Sequence, residues 1–152
     1  MSSLSARLLI SVFILLLFFF GATIAVLDIA FRDVGEKSRE DILDGQLMTL
    51  LAAAEPNAAG ELEMPEDLPE PRFGNVGSGL YADLQDSEGN HLWRSRSSLG
   101  LELPHGPVSE PGSQQFSRLL MDDGTPLLTL SLSVEWELPD GELEPYIFYV
   151  AE

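Results

Sequence analysis

Residues Leu127 to Glu137 read LLTLSLSVEWE. Leu128, Leu130, Leu132, Val134 and Trp136 alternate with Thr129, Ser131, Ser133, Glu135 and Glu137. A period of two over so long a run predicts a β-strand with one apolar face and one polar face. Working outward, Asp122-Asp123-Gly124-Thr125-Pro126 on one side and Pro139-Asp140-Gly141 on the other supply turn chemistry. The Asp-Gly pair favours primed hairpin geometry. Gln114 to Met121 and Tyr146 to Val150 are therefore the flanking strands. Further upstream, Leu80-Tyr81-Ala82-Asp83-Leu84-Gln85 alternates, Asp86 to Asn90 turns with Gly89 available for a positive φ, and His91 to Ser95 returns. Ser97 to Gly112, rich in proline and glycine, is an excursion between hairpins. The expected fold is α+β, with an antiparallel sheet of five strands.

The apolar residues of the chain are concentrated elsewhere. From Leu8 to Leu27 the sequence is LLISVFILLLFFFGATIAVL, uncharged and bracketed by Arg7 and Asp28. Twenty helical residues span the ~30 Å hydrocarbon core of a bilayer. The run exceeds the apolar region of a cleaved signal, and Thr23-Ile24-Ala25 is a poor cleavage site. We expect residues 1–7 to be a cytoplasmic leader, 8–27 an uncleaved transmembrane helix, 28–54 a stalk helix and 55–152 a sheet domain outside the membrane. Beyond Arg7 the chain has 7 basic and 25 acidic residues, a net charge of −18, so the positive-inside bias leaves the N-terminus inside. In the stalk, Leu43, Leu47, Leu50, Leu51 and Ala54 recur at helical spacing and should cover one face of the sheet. A weaker stripe of Phe31, Val34, Ser38, Ile42, Gly45 and Thr49 suits either a loose parallel helix pair across a dimer axis or a solvated face. Pro56, Asn57 and Gly60 end the helix, and Glu61 to Ser78 should be an irregular connection.

Composition excludes several functions. With 25 acidic residues against 8 basic ones in 152, a phosphate-binding basic patch is absent and nucleic acid is not an expected partner. Without cysteine there is no disulfide, thiolate nucleophile or cysteine zinc site. No nucleophile–histidine–acid set or nucleotide loop is present, and we assign no catalytic or cofactor-binding residue. The core should include Leu43, Leu47, Leu50, Leu51, Leu80, Trp93, Leu130, Leu132, Val134 and Trp136. His91 reads as a sheet-surface residue and His105, between Pro104 and Gly106, as a loop residue, with nothing in the sequence pairing either one. Arg94 and Arg96 read as partners of surface acids.

A transmembrane helix, an exit helix and an outer antiparallel sheet resemble the periplasmic sensor region of two-component histidine kinases. The more specific match is Gly79 to Leu99, GLYADLQDSEGNHLWRSRSSL, with Leu62 to Pro65 and Leu68 to Phe73 ahead of it. These stretches are similar to the PAS-like (PDC) sensor of PhoQ-type kinases. The resemblance implies a homodimer in the bacterial inner membrane, in contact with its lipid, with the sensor periplasmic and a response regulator reached through a kinase core. That core, with its phospho-accepting histidine and its ATP site, is not found in this chain: neither His91 nor His105 lies in an H-E/D-x-x-P setting. The chain thus looks like the input half, which cannot itself transfer phosphate. The same features also fit a single-pass periplasmic binding or structural module without a kinase, or a PAS-like input domain of a chemoreceptor or cyclase.

The resemblance further implies an acidic surface facing the membrane, where Mg²⁺ or Ca²⁺ bridges protein to anionic lipid and cationic peptides compete. Hard cations seeking oxygen ligands are suited to that role. This chain has no acidic run longer than pairs such as Asp122-Asp123. Its best substitutes are Glu135 and Glu137, which point the same way in a strand, with Asp140 and Glu142 across the next turn.

Overall fold

The computed structural model describes residues 4–57, 60–106, 110–138 and 141–152. It divides into two compact units, Met1–Arg39 and Glu40–Glu152. One helix, α1 (Leu4–Ala53), occupies both the expected apolar span and the expected stalk. Within it Ala6–Phe31 is long and apolar enough to cross a membrane, and Arg7 and Asp28 are both exposed. The two hydroxyls of Ala6–Phe31 are satisfied inside the helix: Ser11 donates to the Leu8 carbonyl at 2.9 Å and Thr23 to that of Phe19 at 2.8 Å. Such back-bonding lets a hydroxyl sit where no water is available.

The second unit is an α+β arrangement consistent with a PAS-like fold. A short ribbon of β1 (Glu55–Pro56) with β2 (Leu62–Glu63) follows the helix. Five antiparallel strands, β3 (Tyr81–Asp86), β4 (His91–Arg94), β5 (Gln114–Leu120), β6 (Pro126–Glu137) and β7 (Leu143–Ala151), then lie in the order β4-β3-β7-β6-β5. The last strand in sequence is thus the middle one in space, pairing with β6 through nine register positions and with β3 through six. Leu43, Leu47 and Leu50 of α1 are buried on one face against Leu80, Leu84, Leu130, Leu132, Phe148 and Val150. Leu51, Trp93, Val134 and Trp136 are partly buried at the margin of that cluster. Two polar ties flank it: Gln114 donates to Asp44 at 2.8 Å, and Gln46 to Glu70 at 3.5 Å.

Two expectations change. The connection expected to be irregular carries short regular pieces, strand β2 and a 3₁₀ turn at Pro71–Gly74. Proline is tolerated at the first turn because its missing N–H has no helical partner to lose, and the Glu70 carboxylate accepts from the Arg72 N–H. The hairpin at Asp123-Gly124 is not primed. Gly124 has φ 82° and none of the described non-glycine residues has a positive φ, whereas a type I′ turn needs two such positions. Instead Gly124 N–H donates to the Met121 carbonyl and Met121 N–H to that of Thr125, a turn closed by a left-handed glycine. The same pair of bonds recurs at Asp86, Gly89 and Asn90, and at Leu138, Gly141 and Glu142.

Leu47 is completely buried on α1, while its neighbour Met48 is 40% exposed. Leu47→Ala should therefore cost about 2–5 kcal/mol, and Met48→Ala less than ~0.5 kcal/mol, in denaturant unfolding of the full chain in detergent.

Candidate functional site

The sheet's other face is polar at its centre. Tyr81, Asp83 and Gln85 of β3 point to it, opposite the face of Leu80, Ala82 and Leu84, because side chains alternate along a strand. Asp83 is fully buried. An ionised carboxylate with no exposure requires charged or hydrogen-bonding partners, and four groups converge on its Oδ2. His91 Nδ1 lies at 2.6 Å, His105 Nε2 at 2.9 Å, Gln85 Nε2 at 3.1 Å and Arg94 Nε at 3.8 Å. Since a carboxylate only accepts, these bonds put a proton on His91 Nδ1 and on His105 Nε2. The other oxygen, Asp83 Oδ1, is buried without a hydrogen-bond partner among the described residues.

Each histidine arrives by a distinct route. In the β3–β4 ladder Leu84 faces Trp93 but Gln85 faces His91, so Leu92 is an extra residue on β4. A regular ladder would pair Gln85 with Leu92 and turn His91 to the helix-covered face. The bulge moves it to the face of Asp83, since a one-residue shift reverses every side chain beyond it. His105 comes from the excursion after β4. Ser95 starts that excursion, its Oγ accepting from the Ala82 N–H at 2.9 Å and sharing a 2.8 Å bond with Ser97 Oγ. Leu103 then packs with Tyr81, Leu127 and Tyr149 in a second apolar cluster. Tyr149 donates to the Pro104 carbonyl at 2.5 Å, and its ring lies 4.7 Å from that of His105. Burial above all, with the nearby Asp83 charge, pushes the Tyr149 phenol well above its usual range, a hydrogen bond with Thr129 acting the other way.

The excursion thus covers part of the second face, and the two histidines, which nothing in the sequence pairs, meet over one carboxylate with ring centroids 5.4 Å apart. Sequence inspection missed this site because Asp83, His91 and His105 are common residues at no recognisable spacing; the alternation that turned Asp83 away from the leucines was its only signal. Of the expected acidic set, Glu135 and Glu137 are exposed on this same face, opposite Pro145 and Leu143 of β7. Glu142 is exposed in the following turn, and Asp140 lies outside the described residues. Glu135 and Asp83 are two strands and two same-face positions apart, ~10 Å across and ~13 Å along the sheet, so they do not share a ligand. A cleft of about 530 Å³ is lined by Arg94 and Arg96 together with Glu66, Asp67 and Glu70, a mixture of both charges.

Tyr149→Phe removes the bond to Pro104 and keeps the ring, so it should cost about 0.5–1.5 kcal/mol and speed amide exchange around residues 101–106. Because the native phenol holds its proton above the ordinary tyrosine value of 10.0 while the unfolded one releases it, native stability should fall as pH rises past 10, less steeply in Tyr149→Phe.

Over 114 residues the chain is 30% identical to the two-component sensor PhoQ of Pseudomonas aeruginosa. That stretch is 75% of this chain and 25% of the relative, so the chain spans about a quarter of the length of the curated protein it matches. No family model and no solved structure matches. A helix with the length and composition to cross a membrane, a five-strand sheet domain and this identity together make the chain similar to one part of a PhoQ-type two-component sensor.

Proposed function

We propose that this chain is the signal-input region of a bacterial two-component sensor histidine kinase, held in the inner membrane by α1, with its N-terminus cytoplasmic and its sheet domain periplasmic. The observation that carries this reading is the 30% identity to PhoQ over 114 residues. The charge distribution supports it: the chain beyond Arg7 carries −18 and includes a membrane-length helix, the balance suited to an acidic domain tethered at an anionic surface. In this reading the chain works as a homodimer, with Phe31, Val34 and Ile42 exposed along the helix to face a second copy. A cue that shifts the sheet against Leu43, Leu47 and Leu50 moves the helix relative to its mate, and the kinase core and its response regulator receive that movement. The cue is a divalent cation, Mg²⁺ or Ca²⁺, or a cationic peptide competing for the same surface. Glu135, Glu137, Asp140 and Glu142 are the groups we assign to it; the exposure of Glu135 and Glu137 on one face of β6 supports that assignment.

The test is a chimera in which this chain replaces the matching quarter of the Pseudomonas aeruginosa PhoQ. Once inserted in the membrane, it should drive a response-regulator-dependent reporter whose output changes as Mg²⁺ is raised from micromolar to millimolar. An inserted chimera with a flat output in both Mg²⁺ and Ca²⁺ and with cationic peptide overturns the reading. For the acidic set, the full chain in detergent should melt higher in millimolar Mg²⁺ or Ca²⁺, by about 2.7 kcal/mol of stability at a hundredfold excess over Kd. Neutralising Glu135, Glu137, Asp140 and Glu142 together should abolish that shift; an unchanged shift moves the cation site elsewhere.

A further inference from the structure

The geometry points to a second and chemically different cation site: we propose that Asp83, His91 and His105 bind a borderline divalent transition-metal ion of the Zn²⁺ class. Both histidines of the chain converge on one carboxylate, and one ligand atom from each of the three residues lies within 4.8 Å of the others. Two imidazoles and a carboxylate are the donors that zinc and its neighbours prefer, whereas Mg²⁺ and Ca²⁺ take oxygen ligands. The site therefore discriminates against the ions assigned to Glu135 and Glu137, and it stands independently of the sensor reading.

Three details of the site agree. Both imidazoles face the same oxygen, Asp83 Oδ2, so that oxygen is the one an ion held between them takes. The nitrogen–oxygen separations of 2.6 and 2.9 Å are those of hydrogen bonds. Donors around a tetrahedral ion with ~2.0–2.1 Å bonds stand ~3.3 Å apart, so each pair must open by only ~0.4–0.7 Å. The facing nitrogens carry protons in the metal-free arrangement. On binding, each neutral ring keeps its one proton on the nitrogen turned away from the ion, and its freed lone pair becomes the ligand. Solvent completes the coordination, since the side chains of His91 and His105 are 41% and 26% exposed while the Asp83 side chain is sealed.

Arg94 opposes the ion electrostatically. Its Nε is 3.8 Å from Asp83 Oδ2, and its side chain, 34% exposed, has room to withdraw to solvent. Metal and Arg94 therefore compete for one carboxylate. Since the ligands come from β3, from β4 and from the excursion carrying His105, the ion would pin that excursion to the sheet.

The experiment uses the full chain in detergent, with Zn²⁺ as the probe, Co²⁺ as the spectroscopic substitute and Mg²⁺ as the control. We expect one Zn²⁺ per chain, a change of protonated nitrogen in both imidazoles by ¹⁵N NMR, and a visible Co²⁺ absorption band characteristic of nitrogen and oxygen donors. His105→Gln, on a partly exposed loop side chain, and His91→Gln should each weaken binding at least about tenfold. Arg94→Gln should strengthen it, and Glu135→Gln with Glu137→Gln should leave it unchanged. Asp83→Asn removes a buried group and is judged only if its circular dichroism remains native. The proposal is overturned if millimolar Zn²⁺ leaves both rings unaltered in the folded chain, if the two histidine variants bind as the parent does, or if binding disappears with the Glu135 and Glu137 variants instead.

Discussion

A carboxylate with no solvent exposure, Asp83 on the strand next to the sheet's centre, is the constraint around which the second face is organised. Burying an isolated charge costs far more than a single hydrogen bond returns, so its surroundings must answer it. A bulge at Leu92 turns His91 to the face of Asp83, Arg94 stands opposite in register, and Gln85 reaches back along the strand. The excursion folds over so that His105 arrives from above, held down by Leu103 and by the bond from Tyr149 to Pro104. Removing one partner leaves the others around a charge that still has no water, which is why such groups act as a unit.

The two faces of the sheet therefore do different work. One is apolar and is closed by Leu43, Leu47 and Leu50 of α1, where tight packing transmits small displacements without absorbing them. The other combines a buried polar centre with exposed acids toward the β6–β7 turn. Since β7 lies in the middle and bonds to both β3 and β6, the strands that carry the polar face are the same strands that pack on the helix. This physical continuity suits an input domain, whose function is to convert a local binding event into movement of a packed element.

Much of this architecture was legible in the residues. Alternation in Leu127 to Glu137 and in Leu80 to Gln85 identified strands and their apolar faces, since only an extended backbone sends successive side chains to opposite sides. Turn glycines marked the hairpins, although the Asp123-Gly124 turn adopted a left-handed glycine closure and not the primed form. The pieces of the Glu61 to Ser78 connection escaped because two-residue strands and a single 3₁₀ turn depend on local caps such as Glu70 and leave no periodic trace.

By itself, the sequence determined a membrane-length apolar helix, an acidic domain beyond it and an antiparallel sheet, because length, charge balance and periodicity are local properties that survive without any knowledge of contacts. Only the tertiary structure decided that His91 and His105, fourteen positions apart in sequence, would share one oxygen of Asp83. That meeting depends on an extra residue in one strand and on the path of a proline-rich loop. Neither has a signature in composition, since a bulge is defined by the partner strand and a loop's path by the surface on which it packs.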